Sequence, residues 1–541
     1  MMSNMKRVWV IFSGLILTGA LMIGVISCGQ DQSKPTVEGA KRLFEQGKIH
    51  PALEMLDALA NQVTPGRDLL SLRAKVRERA FDLEGAVADY DSILERDAND
   101  VDTLELRGKV KIKLRDFEGA QEDLSSAREK RPDSSSILSS LGLVQFYKTD
   151  FDGARRLFDL SGQLDGRNDG PYFGRAAINI EEGDYESAIE EMNNLLKLYP
   201  KSGQALLRRG FSFLKNGDAS KALGDFNKAL EYDPELNEIY WYRAEAYRCL
   251  GEPEMALKDY EKAESVDPND SILFLNQGNV LVMLGRHNEA LEKLRRSIVL
   301  DPDNPLPYIN RAALQLQTGN ILASLTDVNK ALELRNDDPQ LLTKRAYIFK
   351  LMARQDRALE DLDEALSQDP HNLESLLLRG SLYFNDQQLE RSISDLQRAI
   401  ELFPDEPSAY QLLAEAFLRK GDSQKAMQFV ETALKKDSSY VPALVTMGDI
   451  LMSSAQTDRA IESYSKALSI DQNHFEARLK RAKQFLELEN HTLALADLEY
   501  AAKVYPYSGE VYQLRAVCYE VLGEHEKARQ DSWKVRVFVH R

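Results

Sequence analysis

Small and apolar residues recur along this chain with a single period. Starting at Ala40, every thirty-fourth residue up to Ala516 is Ala or Gly, fifteen times over with no insertion or deletion. Twelve residues beyond each mark stands Ala or Ser, as at Ala52, Ala120, Ala222, Ser324 and Ala528. With Ala40 taken as position 8 of a 34-residue unit, large apolar residues occupy position 4 (Tyr172, Leu206, Tyr240, Phe274) and mostly position 24 (Phe226, Tyr260, Leu294). Positions 4, 8 and 11 lie on one face of a helix, and positions 20, 24 and 27 on one face of another. Gly often interrupts the pattern at position 15, and Pro ends it at position 32, as in Pro268 and Pro302. An Asp or Asn just beyond that proline, such as Asp270, supplies an N-cap for the next helix. Each unit therefore predicts two antiparallel helices, A and B, with small residues where their backbones approach.

The register resembles that of the tetratricopeptide repeats at positions 8, 20, 27 and 32, while Leu, Tyr or Phe replaces the usual Trp at position 4. The resemblance implies an all-α fold, a right-handed superhelical solenoid of about 15 helix-turn-helix repeats over residues 36–541. It also implies partners that are other proteins or peptides, because the family is a scaffold for many ligands.

Position 7 is Arg in ten units: Arg73, Arg107, Arg175, Arg209, Arg243, Arg311, Arg345, Arg379, Arg481 and Arg515. Position 23 is acidic in the same ten, from Asp89 and Asp123 to Asp497 and Asp531, and the other five units lack both. Pairing within a unit, helix A to helix B, follows from this agreement. The structural reading is that it fixes the angle between the two helices, and the functional one is a charged binding ladder.

The N-terminus departs from the repeat. Lys6 and Arg7 precede an uncharged, mostly apolar run from Val8 to Ser27, the layout of an export signal. Val25-Ile26-Ser27-Cys28 resembles a bacterial lipobox, with Val25 where Leu is commoner. That resemblance implies a signal peptide over 1–27, acylation at Cys28, and a polar tether over 28–35. A retained transmembrane anchor is the other reading of the same run. The expected location is a bacterial envelope, with the membrane contacted through the lipid and the periplasmic side of an outer membrane favoured by Gly29. The composition is that of a globular chain, and 69 Lys+Arg against 86 Asp+Glu give a net charge of −17. Such a surface repels phosphate, so nucleic acid is not an expected partner.

Catalysis and cofactors are not expected. None of the seven His has a metal-ligand spacing, and no nucleophile elbow or phosphate loop occurs. The second face of helix A, which lines the concave groove in related proteins, is apolar and aromatic in the middle units. Its candidates for holding a partner segment are Phe146, Tyr147, Phe173, Leu207, Phe211, Trp241 and Leu275, and the other reading of the same stretch is that A helices of a tight superhelix partly bury one another. Asn276, Asn279, Asn310 and Lys344 resemble parts of the carboxylate clamp and asparagine ladder of the family. Two further expectations concern shape: a hinge at Gly166–Pro171, where two glycines displace the usual turn, and self-association through the C-terminal end. A lipid-anchored adaptor and a structural spacer are the two functional classes these features leave open.

Overall fold

The computed structural model describes residues 35–62 and 64–539. Cys28 and the whole signal segment lie outside the described residues. Among those described, the chain forms thirty α-helices in consecutive A–B pairs. They group into two compact units, the first ending at Asp301 and the second starting at Pro302. In each, helix A packs on its own helix B and that helix B packs on the next helix A.

The sequence pattern builds the pair directly. Ala at positions 8 and 20 is buried in both units, as Ala40, Ala52, Ala346 and Ala358 show. Where position 8 is glycine, the facing position 24 fills the space. A Cβ on Gly142 would stand 2.7 Å from Phe158, and one on Gly210 2.6 Å from Phe226. Helix starts are capped as the pattern predicts: Asp270 accepts from the Ile272 and Leu273 amides, and Ser202 from Ala205.

All ten position-7 arginines are bonded to their own position-23 carboxylates. Arg209 donates through Nε and Nη2 to the two oxygens of Asp225 at 2.7 Å each, and Arg345 to Asp361 at 2.8 and 2.7 Å. The sequence reading stops at this bidentate pair, but the structure adds a third contact. Nη1 of the same arginine reaches position 25 of the preceding repeat: Arg107 to Asp91, Arg209 to Asn193, Arg379 to Asp363 and Arg481 to Ser465, at 2.6–2.9 Å. Each such arginine thus clasps three helices and fixes both the angle within a repeat and the step to its neighbour. The bidentate bonds hold the Arg73 and Arg345 guanidiniums above the usual arginine value.

Position 15 closes helix A with a left-handed residue in all fifteen repeats. Eight are glycines such as Gly217 (φ 86°), but seven are not: Phe81, Arg115, Thr149, Ala353, Gln387, Ala455 and Glu489. The hydrogen bonds are those of a Schellman cap, Gly217 N–H to Leu214 O and Asp218 N–H to Phe213 O.

The segment Gly166–Pro171, expected as a hinge, makes several fixed contacts. Neither Gly166 nor Gly170 is among the residues with positive φ, and the segment is tied from several sides. Tyr199 Oη donates to Arg167 O at 2.7 Å, Tyr172 Oη to Gly166 O at 3.2 Å, and Asn168 Nδ2 to Ser135 Oγ at 2.7 Å. What requires glycine here is close approach: a Cβ on Gly170 would collide with Ser139.

Candidate functional site

The expected groove residues separate into buried and accessible sets. Phe146, Leu207, Phe211 and Leu275 are only 1–7% exposed. They belong to the packing between consecutive helices, a correction to their reading as anchors: a 34-residue repeat brings neighbouring A helices close enough to bury one another's faces. Phe146 packs tilted against Phe151 at 5.6 Å, and Phe211 meets Tyr242 edge-on at 5.5 Å. Tyr147, Phe173 and Trp241 remain half-buried on A helices of the fourth, fifth and seventh repeats. Asn276 and Asn279 are half-buried too, while half-buried Asn310 and exposed Lys344 lie in the second unit.

The clamp resemblance is also corrected in part. Asn276 Nδ2 donates to Glu245 Oε1 at 2.8 Å, and Glu245 further accepts from Arg248 and from Tyr260 Oη. Asn276 is thereby part of a structural network joining the seventh and eighth repeats. The thirteenth and fourteenth repeats show the same arrangement, with Tyr464 Oη and Lys480 Nζ both on Asp449. In the second repeat the equivalent tyrosine, Tyr90, is fully buried and its hydroxyl has no partner among the described residues. Position 9, which carries the acceptor elsewhere, is Lys75 there. Lys75→Gln should supply a neutral acceptor and raise stability by about 1 kcal/mol, read as a shift in the urea midpoint at constant slope.

Beside Phe173 lies a buried arginine that the sequence reading passed over. Arg208, on the helix Gly203–Lys215, is 9% exposed, with its guanidinium 5.2 Å from the centre of the Phe173 ring. Glycine at position 8 lets this helix sit close to its partner, and alanine at position 3 is likewise buried, so the helix is deeply seated. Burial lowers the pKa of Arg208, and the charges of Glu238, Tyr147 and Tyr242 oppose that shift. Glu238 immediately precedes the short helix Ile239–Cys249. Its own backbone is already helical (φ −61°, ψ −22°) and its side chain makes no cap bond. Burial pushes the Glu238 carboxyl up to about 7 against the pull of Arg208, and Gln204 Nε2 donates to it at 3.5 Å. Trp241, one turn on, packs edge-on against Tyr242 at 5.0 Å. The signal in the sequence was a second arginine beside the repeat arginine, Arg208-Arg209, with an acid 30 residues later.

Elsewhere the described residues offer little chemistry. No group of three or more His, Cys, Asp or Glu among them is placed to hold a metal ion, and none of their helices is long and apolar enough to cross a membrane. Cys249 is exposed, and Cys518 is buried with its thiol pushed up to about 11 by burial.

Comparison with known proteins gives one consistent answer. A family described as tetratricopeptide repeat matches residues 176–237, 352–407, 377–441 and 479–532. Related repeat families match 278–319, 237–270 and 441–474. No curated protein sequence matches. Among solved structures, the chain is similar to the Cut9–Hcn1 hetero-tetramer of the APC/C (16% identity, 88% of this chain and 95% of that one, TM-score 0.39). It is also similar to yeast Tom70 (16%, 86% and 96%, 0.37) and to pilF of Pseudomonas aeruginosa (22%, 40% and 98%, 0.35). With a 34-residue register, paired helices throughout and family matches along the array, the chain belongs to the tetratricopeptide-repeat family.

Proposed function

We propose that this protein is a non-enzymatic scaffold for protein–protein interaction, held by a lipid on Cys28 in a bacterial envelope. In this reading a partner segment lies across the A helices of the fourth to seventh repeats and serves assembly or secretion of envelope complexes. The observation that carries it is the set of half-buried aromatics Tyr147, Phe173 and Trp241 on these A helices, with the buried Arg208 against the Phe173 ring. Large rings with one accessible face are the usual anchors of a recognition surface, and a few of them carry most of the affinity. The family's habit of binding proteins or peptides supports the scaffold role.

The test compares the wild type with Phe173→Ala/Trp241→Ala in capture from native envelopes. Phe211 is unsuitable as a target, because its burial would confuse unfolding with lost binding. Helix content should stay unchanged, while retained partners fall at least tenfold. Equal capture by both forms would instead favour a structural spacer. The burial of Phe146, Leu207, Phe211 and Leu275 in the helix packing is what keeps that second reading in view.

A further inference from the structure

We infer that the outer face of the fifteenth repeat is a second docking surface, and that its occupant is an acidic amphipathic helix of another protein. This surface is separate from the A-helix face of the fourth to seventh repeats and does not rest on it.

The repeats before it show what such a face normally holds. The helix Gly509–Val521 sits against both helices of the fourteenth repeat, Phe475–Glu487 and His491–Val504. The residues that line this kind of seat in the second unit are apolar. Val445 and Leu479 at position 5, and Leu468 and Ala502 at position 28, are 4–7% exposed and cluster with Ala477 or Val511 of the following A helix. In the fifteenth repeat the same two positions are Gln513 and Arg536. Position 21, filled by Met427, Ile461 and Leu495 in the repeats before, is Arg529. Polar residues here are what an array end in water requires.

Position 25 goes the other way. It is polar in all fourteen preceding repeats, and Asp363 and Ser465 there receive Arg379 and Arg481 of the next repeat. In the last repeat it is Trp533, 65% exposed. A terminal cap gives no reason for tryptophan at the one seat position that is polar everywhere else. A large exposed ring is instead a usual anchor of an interface.

The charges around that ring say what it takes. Arg529, Trp533 and Arg536 follow one another at spacings of four and three, so they share one stripe of the helix His525–Val539. Arg529 reaches only Glu526, at 4.0 Å, with 80% of its side chain exposed. Arg536 is exposed and meets no carboxylate among the described residues. In a chain of net charge −17 this is a cationic strip about a ring, and its complement is acidic and apolar. The two-sided seat is the shape that a helix fills in the repeat before. A helix lying along it would place an apolar residue on Trp533. Acids seven residues apart would then meet Arg529 and Arg536, which are two turns, or about 10.5 Å, apart. Two copies docked end to end would set arginine against arginine, because two-fold pairing joins like patches. A lipid surface is flat and leaves such a seat unfilled.

The experiment presents the full-length chain with three pools of helical peptides of about twenty residues. All carry Leu at the centre of one stripe, flanked by two positions seven residues apart that are both Glu, both Gln or both Lys. The other positions are randomised. The wild type should retain the Glu pool about tenfold over the Gln pool, as two partly exposed ion pairs allow, and high salt should shrink the preference. Arg529→Glu/Arg536→Glu should exchange that preference for the Lys pool. Trp533→Ala should weaken retention of the Glu pool about fivefold or more. All three side chains are exposed, so circular dichroism should show the fold kept. Phe173→Ala/Trp241→Ala should change nothing here, which separates this face from the groove. Equal retention of the Glu and Gln pools, no retention at all, or no exchange on charge reversal overturns the inference. A Glu preference lost in Phe173→Ala/Trp241→Ala also overturns it and moves the binding to the groove. Trp533-dependent binding to phosphatidylglycerol vesicles without a pool preference would assign the face to a lipid surface instead. A dimer in sedimentation that Trp533→Ala abolishes would assign it to a second copy.

Discussion

Replacing Asp497 by alanine should lower the unfolding free energy of the second unit by roughly 3–5 kcal/mol, the range for removing one partner from a buried ion pair. Asp497 holds two arginines. Arg481 donates to it through Nε and Nη2 at 2.8 and 2.7 Å, and Arg478 through Nη1 at 3.0 Å. The carboxylate is almost wholly buried, and both arginine side chains are largely so. Without it, two cations stay in place with little compensation. Arg478 keeps its bond to Gln472 O and its stacking over the Tyr500 ring at 4.0 Å, so neither stem can easily swing into water.

The check is urea unfolding of wild type and variant, with amide exchange in the helices Phe475–Glu487 and His491–Val504 locating the loss. Stability in a repeat array is close to a sum of repeat and nearest-neighbour terms, so the loosening should be confined to this repeat and its neighbours. Glu292→Ala is the control. Its partner Arg295 lies one turn along the same helix, and both side chains are more than 60% exposed, so the change should leave the urea midpoint essentially unmoved. An equal effect at both sites would show that the clasp contributes no more than a surface pair. A third form, Asp497→Leu with Arg481→Leu, removes the charge with its partner and should recover part of the loss.

These arginines also mark how far the sequence could be read. The pairing of positions 7 and 23 was legible because both members change together across fifteen units, and a repeat supplies its own comparison set. The third contact, to position 25 of the preceding repeat, was hidden by its chemistry. Asp, Asn and Ser all accept one hydrogen bond from Nη1, so Asp91, Asn193 and Ser465 do not look alike as letters. The groove was half legible for a different reason. Helical phase places Phe211 and Trp241 on the same face of their helices, but phase says nothing of how closely the next A helix approaches. That distance buries Phe211 and leaves Trp241 half accessible. Arg208 escaped notice because a second arginine beside a repeat arginine reads as a solvated neighbour until burial is known. Asn276 was misleading in the opposite sense: a residue type suited to a ligand proved to be engaged by Glu245.

Four glycine substitutions in the second unit, Ala353→Gly, Gln387→Gly, Ala455→Gly and Glu489→Gly, should together raise its stability by about 2–4 kcal/mol. Each residue sits at position 15 with φ between 54° and 59°, and each side chain is exposed. For a residue with a Cβ, the left-handed conformation costs about 1–2 kcal/mol. Glycine escapes that cost but gains freedom in the unfolded chain, which returns about 0.4–1 kcal/mol. The net is then roughly 0.5–1 kcal/mol per site, and sites a full repeat apart add. The array already contains the reverse experiment. Gly421 occupies the same position with φ 87°, and a Cβ built there meets nothing within 4 Å, so Gly421→Ala tests the backbone cost free of any clash. It should lose about the amount that each reverse change gains. Urea midpoints of the quadruple variant and of Gly421→Ala, moving in opposite directions at unchanged slope, would establish that the Schellman cap of every repeat draws on backbone conformation alone. A quadruple variant no more stable than wild type would place the cost elsewhere, in cap hydrogen bonds that a non-glycine residue makes equally well. The same logic explains why these seven non-glycine positions are tolerated: a strain of about 1 kcal/mol is small beside what a buried helix pair and its arginine clasp contribute.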